Sequence, residues 1–355
     1  MMYLFFKRFA AFAALVMLVA CGDNAYDGKT GLLSVGGGTS TTEMLSQINT
    51  NVLVADSEAA RQRAAEVQNA VAALAIEQNA SNLAQAQAAA RALFLAWKRV
   101  EAVYMAKEYD DSLIDLPAQI DYFNQGNIDV PAKLDTVFAG TSSLEGQLYQ
   151  SATQGVTALE YTLFGHNEGA DVNMTQRRAD AAVIMADYIA SALAAIADFY
   201  AASGDFVSTG EDAVGIVINQ LIDSANKLKE WRIGNPAGYT TKYAGDPDAD
   251  RFEYVNSYGS LAGIRAILSA QLSVMQEGLE QIAVNNSAAS EGKALTALLE
   301  DAIAQVDAFD APIEESPASA QSLELYDTVD TIQDGYTALI NALNFKQDII
   351  DSDGD

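Results

Sequence analysis

The stretch LAQAQAAARALFLAWKRVEAVY, residues 83–104, decides the fold class. Leu83, Ala86, Ala90, Leu93, Phe94, Trp97, Val100 and Tyr104 follow one another mainly at steps of three and four. That spacing lays one apolar stripe along a long helix, here extending to Lys107. Asn79-Ala80-Ser81-Asn82 separates it from a preceding alanine-rich helix, Ser57 to Gln78. Downstream, helical spacing returns over Leu144 to Leu163, Thr175 to Tyr200, Glu211 to Ile233, Glu253 to Ile282, Lys293 to Val306 and Ser319 to Asn344. Within Glu253–Ile282, Leu261, Ile264, Leu268, Leu272, Met275 and Leu279 form a second stripe. Stripes of this kind pack helices against one another. No segment alternates with the period of two that a half-buried strand requires. The expectation is an all-α protein.

The remaining stretches divide the chain. Lys7 and Arg8 precede an uncharged apolar run, Phe9 to Val19, and Leu18-Val19-Ala20-Cys21 has the form of a lipobox. The run is the length of a signal h-region and too short to cross a bilayer. Residues 1–20 thus read as a lipoprotein signal peptide, with Cys21 as the lipidated N-terminus. Residues 21–42 are rich in Gly, Ser and Thr and read as a flexible tether. Residues 43–345 form the helical domain, split at the Gly165–Asp171 turn into halves 43–165 and 172–345. Residues 109–142, with Pro117, Gly126, Pro131 and Gly140, read as an irregular connection. From residue 301 onward thirteen acids stand against one base. This is a solvated face ending in an acidic tail, 346–355, which lacks the closing glutamate of a calcium loop.

Composition removes whole classes of chemistry. Cys21 is the sole cysteine, so no internal disulfide, thiolate metal site or cysteine nucleophile is available. His166 is the sole histidine, in a Gly/Asn-rich turn, and this excludes zinc and iron sites that need two imidazoles. The net charge of −28, with no basic stripe, argues against nucleic acid as a partner. The membrane, reached through the lipid on Cys21, is the expected partner. Gly22 after the cysteine, in place of an aspartate, favours the outer membrane.

One further stretch carries functional information: Gln154-Gly155-Val156-Thr157-Ala158-Leu159-Glu160-Tyr161-Thr162-Leu163-Phe164-Gly165. It resembles the signature of the imelysin-like family, also classed as peptidase family M75 and including iron-regulated periplasmic proteins. In that signature a glycine is followed by His-x-x-Glu, an aromatic and leucine run and a second glycine. Gly155, Glu160, Leu163, Phe164 and Gly165 match, while Thr157 stands where the family places histidine. Three further stretches resemble the family in the same order. They are Ala96-Trp97-Lys98-Arg99 with Glu101 and Tyr104; Asp115-Leu116-Pro117 with Ile120-Asp121-Tyr122-Phe123; and Asp223–Lys227 with Trp231-Arg232-Ile233-Gly234-Asn235-Pro236, then Glu253 through Ser257 to Ser260-Leu261.

The resemblance implies two helical-bundle halves packed face to face, with the signature helix contributing to a cleft between them. It implies either a peptidase activity or a role in iron uptake. The residues weigh on that choice. A histidine and a glutamate three apart on one helix face can jointly hold a metal, whereas a threonine hydroxyl is a weak ligand. The expectation is therefore a non-enzymatic binding protein of the envelope, accessory to iron acquisition, whose ligand is iron or an iron chelate. The alternatives are a metal-dependent peptidase and a structural or interaction lipoprotein of the cell surface. Thr157, Glu160, Glu101, Tyr104, Asp115, Arg232, Glu253 and Ser257 are the expected cleft residues, with Glu160 and Glu101 as metal candidates. Arg99, Lys227, Arg232 and Arg265 are expected partners for a buried Glu160. Trp97 and Trp231 read as core anchors, and Ser257 and Ser260 as helix caps or cross-links between the halves.

Overall fold

The structure, a computed structural model, describes residues 40–165, 173–202 and 204–348. The signal run, Cys21, most of the tether, His166 and the end of the acidic tail lie outside the described residues. The described residues belong to one compact unit.

Helix α1, Thr41–Ile48, begins with a reciprocal cap. Ser40 Oγ accepts from the Glu43 N–H at 3.2 Å, and the Glu43 carboxylate accepts from the Ser40 N–H at 2.7 Å. A wider π-type turn, Asn49–Val54, leads into α2, Ala55–Ile76. The expected break follows, because Asn79 Oδ1 accepts from the Asn82 N–H at 2.8 Å and starts α3, Ala80–Ala102. Next come α4, Val130–Ala139; α5, Val156–Phe164; α6, Gln176–Ala202; and α7, Glu211–Lys227. The chain ends with α8, Ser260–Val274; α9, Glu280–Asn285; α10, Ala289–Asp307; and α11, Ala320–Ala342. No strand occurs among the described residues, so the all-α class is observed.

The stripe on α3 is a buried seam. Ala86, Ala90, Leu93, Phe94, Trp97 and Val100 are each 2% exposed or less. Burial of each large side chain contributes roughly 1.5–3 kcal/mol. Helix α3 packs on α2 and, across the molecule, on α8; α2 packs in turn on α6. One bundle thus contains α2, α3, α5 and α6. The other contains α7, α8, α10 and α11, and the α3–α8 seam joins the two.

Residues 166–171, the expected boundary between the halves, lie outside the described residues, and α6 beyond them lies along α2 and α5. By length and apolarity α6 is a candidate membrane span, but Met185, Ile189, Leu193 and Ile196 on its inner face are buried in the first bundle.

Two expected helices are shorter than their patterns. Leu144 to Leu163 breaks at Gly155, which is extended (φ −79°, ψ −171°). The Ile120 carbonyl lies where a Cβ on Gly155 would sit, so only glycine lets the two segments approach. Gly165 closes the same helix at φ 71°, its N–H donating to the Tyr161 carbonyl at 2.9 Å. Glu253 to Ile282 becomes helical only at Ser260, because Tyr254 (φ 59°) and Tyr258 (φ 50°) take left-handed backbone on either side of a tight turn, Val255–Ser257.

Candidate functional site

The signature glycine sets the geometry. The close approach at Gly155 brings Asp121 under the first turn of α5, where Thr157 Oγ1 donates to Asp121 Oδ1 at 2.9 Å. One turn on, Glu160 is 3% exposed. Its Oε1 accepts from the Ser257 N–H at 2.9 Å and the Ser257 hydroxyl at 2.7 Å, and its Oε2 accepts from the Asn256 amide at 3.3 Å. The left-handed tyrosines fold residues 254–258 so that both Ser257 donors point at one carboxylate. Tyr254 is fixed by stacking on Phe94, centroids 5.0 Å apart. Strained backbone of this kind persists only where its surroundings hold it, and it gathers at functional sites.

Thr157 and Glu160 line a cleft of about 480 Å³. Tyr122, Phe123, Trp231 and Tyr243 supply aromatic surface, and the exposed carboxylates of Asp129 and Asp250 lie at its edge. Arg251 is the one cation in this lining. It bonds Asp246 at 2.8 Å and lies over the Tyr243 ring at 4.1 Å.

Beside the cleft is a buried charge cluster. Lys98, fully buried on α3, places Nζ 2.6 Å from Glu101, 2.7 Å from Asp121 and 2.6 Å from Glu253. Arg232 bonds Glu253 at 2.7 Å and Glu101 at 2.8 Å, and Trp97 Nε1 donates to Asp121 at 3.2 Å. Burial alone would depress the lysine's pKa, but the three carboxylates outweigh it and hold the ammonium above its ordinary range. Asp121 is likewise opposed by burial, and Lys98 with the Phe123 N–H and the Thr157 hydroxyl carries it down to about 2. Glu160 goes the other way. Burial dominates, the neutral donors only partly offset it, and its pKa rises to about 7.

Glu101, Asp121 and Glu253 are close enough to share a metal ion. The residues nevertheless do not fit a resident metal, because the Lys98 ammonium lies against all three carboxylates and Arg232 takes two of them. An ion would have to expel a buried, charged lysine. Glu160 is not a member of this group.

The structure brings Thr157, Glu160 and Glu253 into the cleft lining, with Ser257 bonded to Glu160 and Arg232 to Glu253. Three expected members are elsewhere. Glu101 lines a separate small depression with Arg232 and Lys227. Tyr104, 2% exposed, lies beyond the end of α3 and donates to the Leu113 carbonyl at 2.7 Å, inside the first bundle. Asp115 is exposed, ahead of the short helical turn Leu116–Ile120, and does not line the cleft. None of the expected cations pairs with Glu160. Arg99 bonds Asp56, Lys227 bonds Asp223, Arg265 bonds Asp307, and Arg232 serves Glu101 and Glu253.

Trp97 is the core anchor expected of it, but Trp231 is half-buried on the cleft wall. Ser257 crosses to α5, as one of its two expected roles required. Ser260 donates to the Glu253 carbonyl, and its N–H donates to Glu314 at 3.1 Å. Sequence reasoning missed Lys98, Asp121 and Asn256 as site residues. Lys98 carried a usable signal: it lies four residues from Phe94 and three from Glu101, on the face that the stripe buries.

A family model described as imelysin, peptidase M75, matches residues 54–344. The chain belongs to the imelysin family. Its fold is shared with solved imelysin structures. An imelysin-like protein from Psychrobacter arcticum aligns at 17% identity and TM-score 0.72, covering 89% of this chain and 100% of that one. A putative iron-regulated protein A precursor from Parabacteroides distasonis aligns at 14% identity and TM-score 0.66, covering 87% and 97%. At these identities the likeness is one of fold. No curated protein matches the sequence significantly. Within the imelysin signature, the glycines of this chain shape α5, the glutamate lies on the cleft floor, and the histidine position is taken by a threonine bonded to Asp121.

Proposed function

We propose that this imelysin is a lipid-anchored envelope protein that binds a ligand in the 480 Å³ cleft without transforming it, in the service of iron acquisition. One observation carries the binding role. The carboxylates in and beside the cleft are already engaged: Glu253 by Lys98 and Arg232, Asp121 by Lys98, and Glu160 by Ser257 and Asn256. A metallopeptidase needs three protein ligands and an open coordination position. Thr157, itself a donor to Asp121, does not supply the missing imidazole. What this arrangement leaves is a concave surface of aromatic and acidic groups with no open metal position, the character of a small-molecule site.

Iron enters through the Parabacteroides neighbour, described as iron-regulated, and through the oxygen-rich, acidic cleft. An iron chelate suits this surface better than a bare ion, since its donors are already satisfied and the protein need only recognise its periphery. The anchor rests on the lipobox at Cys21, and the tether of residues 21–42 would hold the domain off an envelope membrane.

The test is titration of the purified mature domain with ferric chelates, followed by Trp231 fluorescence. Saturable quenching that is lost in Trp231→Ala is expected. Proteolysis inhibited by EDTA would overturn the non-enzymatic reading in favour of the peptidase. For the anchor, Cys21→Ser should move the protein from salt-washed membranes to the soluble fraction, and continued sedimentation would refute lipidation.

A further inference from the structure

Three buried carboxylates show what Glu160 lacks. Asp56 bonds Arg99 at 2.7 Å, Asp121 bonds Lys98, and Glu253 bonds both Lys98 and Arg232. Glu160 is as deeply buried, yet every partner it has is neutral: a serine hydroxyl, a backbone N–H and an asparagine amide. A buried carboxylate is stabilised in its charged form by a cation, and without one it takes up a proton. Unlike Asp56, Glu160 also lines the open cleft. No cation among the described residues reaches it, which leaves that place to a ligand.

The rest of the cleft selects for the same charge. Asp129 and Asp250 are exposed at its edge. The buried cluster behind it sets three carboxylates against two cations, and Arg251 is held by Asp246 rather than free to meet an anion. Phe123, Trp231 and Tyr243 offer ring surface for the body of a ligand, since Arg232, Lys227 and Arg251 already lie over these rings. An anionic ligand would meet repulsion at both the edge and the floor.

We propose that the cleft recognises ligands bearing a protonated amine, the ammonium seated against Glu160 and the body of the ligand lying along Phe123 and Trp231. This rests on the binding reading and deepens it by naming the chemical class: neutral or cationic chelates with a free amino group, not anionic ones. Glu160 acts as the counter-ion, and Asp129 with Asp250 draws the cation in.

The test uses three probes on the mature domain by calorimetry. They are ferrioxamine B, a ferric tris-hydroxamate with a free alkylamine; its N-acetylated form, which lacks the charge; and cadaverine, the amine without the chelate. The expected result is binding of ferrioxamine B at least tenfold tighter than its acetylated form, with the preference abolished by Glu160→Gln. Asp129→Asn with Asp250→Asn changes only exposed charges and keeps a capping side chain at 129. It should weaken amine binding two- to fivefold and flatten its salt dependence, so the proposal stays testable if Glu160→Gln proves unstable. Equal binding of the free and acetylated chelates would overturn the ammonium site while leaving the chelate reading standing. Glu160-dependent binding of cadaverine, with neither chelate bound, would support the ammonium site and count against the chelate. Absence of binding by all three probes would overturn the ammonium site.

Discussion

Two neighbouring regions of this molecule bury carboxylates by opposite means. Around Lys98 and Arg232, each of three acids is paired with a base of the chain, and Lys98 is wholly sealed from solvent. Around Glu160, one turn of α5 from Thr157, a carboxylate is held by neutral donors at the floor of an open cleft. The first arrangement costs desolvation but is complete, and it ties α3, the segment at Asp121 and the loop at Glu253 into one frame. The second is incomplete in charge, which suits a surface meant to be completed by something else. Placing the two side by side lets the frame fix the geometry that the pocket uses.

The largest effect should come from breaking the frame. Lys98→Met keeps the length of the side chain and removes the ammonium, leaving Asp121 and Glu253 buried with only Arg232 and neutral donors near them. Removing one partner of a buried ion pair costs about 3–5 kcal/mol. Urea unfolding at pH 7 should show a loss of that size. A loss below about 1 kcal/mol would mean that water or local rearrangement already shields the cluster.

Glu160→Gln should produce the next effect, with a sign that depends on pH. The folded pKa of Glu160 is pushed above its ordinary value near 4.5, to about 7. The native state therefore binds this proton more tightly than the unfolded chain. Its contribution is fully present below pH 4.5 and is lost as the pH rises through 7. At about 1.4 kcal/mol per unit, the difference amounts to roughly 3 kcal/mol. Glu160→Gln should match the parent protein at pH 4.5 and exceed its stability by up to that amount at pH 8, measured as urea midpoints across the range. Asp121 supplies the opposite limb. With a folded pKa lowered to about 2 from 3.8, its contribution is present above 3.8 and declines as the pH falls toward 2, by roughly 2–3 kcal/mol. Asp121→Asn should abolish that acid limb and leave the Glu160 limb in place.

What could be read from the sequence divides along the same line. The stripe from Leu83 to Val100 identified the buried face of α3 because a helical period is a local property of the chain. Gly155, Glu160 and Gly165 stood out through the signature they share with imelysins. Lys98 was missed because a charge beside an apolar stripe reads as a solvated edge, and its burial depends on carboxylates 3, 23 and 155 residues away. Asp115 was misplaced for the converse reason. An aspartate before Leu116-Pro117 looks like a site residue by its neighbours, and only the tertiary path shows that Asp121 is the acid under α5. The left-handed tyrosines 254 and 258 lay beyond local reasoning too, since nothing in their side chains favours positive φ over the helix that the pattern predicted.

The smallest predicted effect tests whether frame and pocket are separate at all, because Thr157 lies between them. Its hydroxyl donates to Asp121 Oδ1 at 2.9 Å, and the Asp121 carboxylate also accepts from Lys98, Trp97 and the Phe123 N–H. Thr157→Val is nearly isosteric and removes one of these four donors. A hydrogen bond to a charged group contributes about 1.5–3 kcal/mol, and with three donors remaining the loss should fall at the lower end, about 1.5 kcal/mol at pH 7. The informative quantity is the position of the two pH limbs. With only Asp121 touched, the acid limb should move to higher pH as that carboxylate loses a stabilising donor. The limb near pH 7 should stay where it is, because Ser257 and Asn256 still hold Glu160. A shift of the upper limb as well would show that Thr157 transmits charge between the frame and the cleft, and the two regions would then have to be treated as a single titrating unit.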